Sequence, residues 1–471
     1  MGKHSQGVAH SWGCPRLQRS LPLAVAGLLA AALLLQTQGV RAEDMQTLLN
    51  QWNQFRSKGS KLGIRLETVN TTDVLSNVRG GVARRTDAPG NIDLMLTVDA
   101  EKTVGWKGGT LFVYGLGDYG NNPSRDVGDL QGVSNVAAPN TWKLFEAWYQ
   151  HNFFQEKLSV LAGLYDVTSE FQVIRDASEL FLNSSFGTTP EFALSGRNGL
   201  SSFPTTAVGL RVQAKPVDNW AFRAAVLDGV PGDTGNSKGT QISFGKDDGF
   251  FAGAELAYEF EDEKLAKAEG SSGASILKVK PRRKARRRIG RAAPLVYDGK
   301  YAVGIWGYST TLNDLNDVDS AGTPIQRHGT YGFYGIAERR VYKEPDDPLQ
   351  GLTLFGQVGF ADPRVNRIAS YQGGGAVYTG LIPGRDKDQI GFGVAAAHNS
   401  GQYESAQRNA GIPVTNAEIT LEFTYAALLT EDPELALQPD IQYVINPGTN
   451  PSLKNALVIG VRIEASLEWL R

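Results

Sequence analysis

Ile419-Thr420-Leu421-Glu422-Phe423-Thr424-Tyr425 places an apolar side chain at every odd position and a polar one at every even position. Successive side chains of a β-strand point to opposite faces, so this run reads as a strand with one apolar and one polar face. The same period recurs along the chain. Leu62, Ile64 and Leu66 alternate with Gly63, Arg65 and Glu67; Val208, Leu210, Val212 and Ala214 alternate with Gly209, Arg211, Gln213 and Lys215. Near the end, Leu457, Ile459, Val461 and Ile463 face Val458, Gly460, Arg462 and Glu464. A water-soluble sandwich also alternates, so the period does not by itself choose a membrane. Length and connection do. The segments run about 9 to 14 residues, longer than ordinary soluble strands and right for a tilted bilayer crossing. Short turns at Gln155-Glu156-Lys157, Val217-Asp218-Asn219 and Arg385-Asp386-Lys387 alternate with long polar loops at Asn121–Thr141 and Gln172–Thr206. From Leu62 to Leu467 this gives about sixteen strands, least sharply bounded near Asn313 and Ile368; the expected fold is all-β, a transmembrane antiparallel barrel with a water-filled lumen.

Composition agrees. The chain has 471 residues with 54 Gly, 20 Phe, 16 Tyr and 8 Trp against 1 Cys and 3 Met, a profile of strands and turns. Mean hydropathy is -0.25, which excludes a bundle of membrane helices. Lys3, Arg16 and Arg19 precede an apolar run from Leu21 to Leu35 and then Val40-Arg41-Ala42, the pattern of a signal peptide over residues 1–42. Cleavage after Ala42 would remove the lone Cys14 and four of the 47 basic residues, leaving 43 against 49 acidic ones, a net charge of -6. So acidic an exported chain is a poor partner for nucleic acid. Residues 43–60 read as a short periplasmic helical segment, Asp44 to Arg56 being amphipathic, and 61–471 as the barrel.

Several blocks in order resemble the carbohydrate-selective porins of the OprB type. They are Gly128-Asp129-Leu130-Gln131-Gly132-Val133-Ser134-Asn135, Thr141 to Tyr149 with its two Trp residues, Tyr378 to Arg385, Leu437 to Val444 with Asn446-Pro447-Gly448, and Asn455 to Arg462. The likeness covers nearly all of the mature chain. It implies a barrel, commonly sixteen-stranded, in the outer membrane of a Gram-negative bacterium, through which glucose and related small neutral sugars diffuse passively, with outer-membrane lipid as its other partner and no cofactor. Two features depart from the pattern: an insertion from Glu261 to Arg291, within a 261–300 connection, ends in a basic run, and the chain closes on Leu467-Glu468-Trp469-Leu470-Arg471. Alternative readings are a non-selective or adhesive barrel and a barrel-embedded hydrolase. Little supports catalysis, because the mature chain keeps only His151, His328 and His398 and has no nucleophile or metal motif.

Charged residues on the polar parity, namely Arg211, Lys215, Arg223, Glu255, Glu259, Glu422, Arg462 and Glu464, should face the lumen, since a basic side chain in hydrocarbon costs about 2–4 kcal/mol. Sugar recognition calls for carboxylate or guanidinium partners together with aromatic faces. Trp142, Glu146 and Trp148 share one parity, which is expected to be luminal. The loop Gln172–Thr206 carries Arg175 and Arg197 and is long enough to fold inward as a constriction. Glu146, Arg197 and Arg211, with Trp142 and Arg175, are therefore the expected substrate contacts.

Overall fold

A computed structural model describes residues 51, 54–261, 297–347 and 349–470. The signal-peptide reading, the first part of the expected N-terminal helix and the basic run lie outside those residues. The described helix covers 54–62.

Sixteen antiparallel strands form the wall: β1 Ile64–Arg79, β2 Gly90–Asp99, β3 Gly109–Tyr119, β4 Thr141–Phe153, β5 Leu158–Tyr165, β6 Ala207–Ala214, β7 Trp220–Asp228, β8 Phe250–Glu261, β9 Tyr297–Val318, β10 Pro324–Lys343, β11 Gly351–Ala361, β12 Ile368–Thr379, β13 Gln389–Asn399, β14 Ala417–Glu431, β15 Glu434–Ile445 and β16 Ala456–Leu470. A two-residue strand, Thr86–Asp87, hangs on the end of β1 outside this count. Each strand pairs with its sequence neighbours, and β1 pairs with both β2 and β16, so the sheet closes on itself and leaves no edge. The strands span 8 to 22 residues, a wider range than their alternation suggests. The largest excess lies in β9 and β10, which pair with each other out to Val318 and Pro324. Both termini of the wall lie at the end that carries the short turns 154–157 and 215–219; the long connections 120–140 and 166–206 lie at the other.

The wall is inverted relative to a soluble protein. Arg211 is 1% exposed while its neighbour Leu210 is 47% exposed, and Phe222, Leu256, Phe333, Phe392 and Phe423 are exposed likewise. Arg223, Glu255, Glu422, Arg462 and Glu464 are buried on the inner face. An apolar outer belt over a polar interior is stable only where hydrocarbon, not water, wets the outside. Among the described residues no helix is long and apolar enough to cross a membrane.

At the turn end, the helix over 54–62 is tied down through buried Arg56, whose Nη1 donates to Asp432 at 2.7 Å in the turn between β14 and β15.

Candidate functional site

The connection from β5 to β6, residues 166–206, runs into the lumen and not away from the mouth. It contains a helix at Arg175–Leu180, a shorter one at Pro190–Ala193 and 3-10 turns at Val167–Ser169 and Ser184–Phe186. Such broken backbone leaves many N–H and C=O groups without regular partners, and inside a barrel they must find others. They find the wall. Glu146 on β4 accepts from the N–H of Asp166 at 2.8 Å, and Glu255 on β8 from that of Gln172 at 2.8 Å. Glu338 on β10 takes the first two helical N–H groups, Arg175 at 3.0 Å and Asp176 at 2.7 Å. Glu422 on β14 takes Leu182 at 2.6 Å and Asn183 at 3.0 Å. Four residues earlier on β14, Glu418 holds Leu130, Gln131 and Gly448, drawing the β3–β4 connection inward as well. The loop carbonyls are met by wall amides: Gln438 donates to Leu180 O, Gln442 to Val133 O and Gln357 to Ser185 O. Bonds to a charged acceptor are the strong ones, at about 1.5–3 kcal/mol each.

One flank of this inward segment is glued by aromatic rings. Phe181 and Phe186 lie 4.5 Å apart and reach Phe355 on β11; Phe192 stacks on Trp306 of β9 at 5.4 Å and meets Tyr334 of β10 at 5.7 Å. The wall opposite is cut small to receive them. On β13 a Cβ at Gly393 would sit 2.7 Å from the Phe186 ring, and one at Gly391 2.6 Å from Leu180. Ala395 and Ala397 continue the same inner face.

The other flank leaves space. A cavity of 140 Å³, room for about ten waters, lies between the inward segments and β1–β2. Thr71, Asn91 and Asp93 line it from the wall; Asn135, Asp166, Thr168, Ser178, Ser184, Thr188 and Ser202 line it from the loops, with Phe203 as the aromatic face. Among the described residues its lining holds hydroxyls, amides and two carboxylates but no Lys or Arg. The inward segments thus pack closely against the β8–β14 side and leave a cavity on the β1–β2 side.

The expected contacts fall into different places. Glu146 and Arg211 face inward, but both hold the loop: Glu146 as above, and Arg211 through Glu170 at 2.7 and 3.1 Å with Gln150 and Ser159 beside it. Arg175 opens the helix clamped by Glu338 and keeps a half-buried side chain. Arg197 lies at the loop end, donating to Asp247 O at 3.0 Å and facing Asp248 at 3.8 Å. Trp142 corrects the sequence reading, because it points outward, 59% exposed, with its ring over Gly117. A β-bulge is the cause. The register passes from Tyr114–Glu146 to Gly115–Leu144, leaving Phe145 as an extra residue, so parity reverses between Trp142 and Glu146. Trp148, beyond the bulge, is buried with Glu146. Of the cavity residues, Asn91 and Asp93 are not among the expected contacts, although Asn91-Ile92-Asp93-Leu94 carries the same period-two signal as the other strands.

Each histidine of the wall has a neutral neighbour: His151 with Tyr149, His328 with Thr311 and His398 with Asn416.

Comparison with known proteins gives one family. A sequence model described as carbohydrate-selective porin, OprB family, matches residues 84–467. Porin B of Pseudomonas aeruginosa is 24% identical over 453 residues, covering 88% of this chain and 90% of that one. The high-pH structure of Pseudomonas putida OprB superposes with a TM-score of 0.73 at 21% identity, over 88% of this chain and 97% of its own. The low-pH structure of the same protein gives 0.51 at 16% identity, over 88% and 96%. At such identities the structural likeness is one of fold.

Proposed function

The chain belongs to the carbohydrate-selective porin family, OprB type, and from that premise we propose that small neutral sugars the size of glucose cross it passively, one at a time, through the cavity between the inward loops and β1–β2. The observation that carries this reading is the clamped segment 166–206. A sixteen-stranded barrel has a lumen too wide to discriminate between small solutes, and the clamps fix a narrow, hydroxyl-lined section within it. Hydroxyl and amide groups there replace part of a sugar's water shell without holding it, which is the regime a channel needs. Phe203 supplies an apolar surface for the face of the ring. No chemistry is asked of the protein, and the three histidines serve the wall.

In this reading Glu146, Arg211 and Arg175 act on the sugar indirectly, by placing the loop, while Asn91, Asp93, Asp166 and the neighbouring hydroxyls touch it. The short turns lie in the periplasm and the long loops outside the outer membrane of a Gram-negative cell, following the usual asymmetry of such barrels. Residues 1–42 direct export and are removed. The test is flux into proteoliposomes of the purified protein: monosaccharides should enter well ahead of trisaccharides, and glucose should reduce single-channel current. Equal entry of both sizes would refute a narrow section.

A further inference from the structure

Resting on the porin reading, we infer that the side-chain amide of Asn91 reads a pair of adjacent hydroxyls on the solute, so that the cavity favours ring compounds with two free neighbouring hydroxyls over those in which either is missing. The backbone fixes where this amide stands. Asn91 pairs with Thr71 of β1 on one side and with Asp118 of β3 on the other, so a ladder on each edge presents its side chain from a rigid wall. The residue is 1% exposed and lines the cavity, yet its Oδ1 accepts no hydrogen bond and its Nδ2 donates none among the described residues. Asn70, also buried, spends its amide in the ordinary way, donating to Asn91 O and to the Tyr119 hydroxyl. A buried amide left open is rare and calls for a partner. Two further groups on the lining are open among the described residues, the hydroxyls of Ser184 and Thr188 on the inward loop. Those of Thr168, Ser178 and Ser202 are already spent, on Asp166, Ile174 O and Leu200 O. An amide carries a donor and an acceptor side by side. Two adjacent ring hydroxyls offer the complement, one O–H donating to Oδ1 and one oxygen accepting from Nδ2, while Ser184 and Thr188, able to donate and accept, serve the remaining hydroxyls.

A site that hydrogen-bonds a hydroxyl disfavours the analogue that lacks it. In a wet cavity each neutral bond is worth about threefold in affinity and the pair about tenfold. The experiment measures block of single-channel current by glucose and by its singly deoxygenated derivatives, one for each ring position, in the unaltered protein and in Asn91→Leu, whose side chain keeps the shape of asparagine without its polar ends. In the unaltered protein two derivatives, lacking neighbouring hydroxyls, should block about threefold more weakly than glucose. Asn91→Leu should weaken block by glucose about tenfold, bring those two derivatives level with glucose and leave the sugar-free conductance unchanged. Heat-shifted migration shows whether that variant is assembled, and Asn91→Ala takes its place if it is not. The ranking of derivatives in the unaltered protein needs no variant. Glucose blocking while every derivative matches it, or a ranking that survives the loss of the amide, overturns this inference alone. No block and no entry of glucose in the unaltered protein overturns the porin reading, and this inference falls with it.

Discussion

Glu338→Ala should open the channel without dismantling it. In the folded chain the Glu338 carboxylate accepts the N–H groups of Arg175 and Asp176 at 3.0 and 2.7 Å, two of the donors that a helix start leaves without partners. Two hydrogen bonds to a charged group are worth about 3–6 kcal/mol where water is excluded. Water from the lumen would reach the vacated N–H groups and recover part of that, leaving about 2–4 kcal/mol as the loss. The seated form of the loop then weakens against unseated forms by about 30- to 700-fold, at tenfold per 1.4 kcal/mol. The wall itself loses nothing, because Glu338 projects from β10 into the lumen and every ladder bond of the strand remains. Planar-bilayer recordings should show larger and noisier unitary currents and weaker block by glucose, with Glu338→Gln intermediate because its amide keeps one acceptor. If Glu338→Ala gives the conductance, noise and sugar block of the unaltered protein, the clamps do not hold the constriction and the reasoning fails.

Gly393→Leu should have a similar effect from the other side, since the new side chain would enter the ring of Phe186, 2.7 Å from where its Cβ must sit; Phe392→Leu, on the outer face of the same strand, should leave the current unchanged. Arg211→Ala removes the buried pair with Glu170, whose carboxylate keeps the Tyr165 hydroxyl at 2.6 Å, a loss of about 1.5–3 kcal/mol, so it should raise conductance and not merely lower sugar affinity. Glu191 is seated against Gly359 and pushed up from 4.5 to about 7 by burial, partly opposed by the Thr189 hydroxyl. A carboxyl raised in the seated loop favours that form fully while protonated, below about pH 4.5, and the preference fades as pH climbs through 7, by about 3 kcal/mol at most. Amide exchange of residues 186–194 should therefore quicken over that window, and Glu191→Gln should abolish the pH dependence. The N-terminus of the mature protein in the membrane fraction should be Glu43, as read by Edman sequencing.

The wall was legible in the sequence because a closed sheet between water and lipid imposes one rule on every strand. Arg211 opposite Leu210, or Glu422 between Leu421 and Phe423, can be assigned a face from parity alone. The rule breaks where an extra residue enters, and Phe145 carries no local mark of being one: Trp142 to Trp148 reads as unbroken alternation until the pairing with β3 is seen. The roles of the inward carboxylates were hidden for a different reason. Glu146, Glu338 and Glu422 look alike as polar residues on apolar strands, and whether such a group meets a sugar or a backbone N–H depends on a loop that sequence places far away. Loop length pointed correctly to an inward segment, while the residues bordering the passage were settled by which flank the aromatic rings occupied.

The separation between clamp and clamped also governs how the channel comes to exist. Asp176 is held by a residue 162 positions later, Leu182 by one 240 later and Leu130 by one 288 later. Contacts so distant in sequence form last, after the chain between them has been ordered. The loop cannot be fully seated until β10 and β14 stand in the ring, so the ring must assemble around an unfilled lumen. An assembly arrested before β14 joins would be a wide leak in the membrane, and narrowing is thereby reserved for a barrel whose distant strands are already in place.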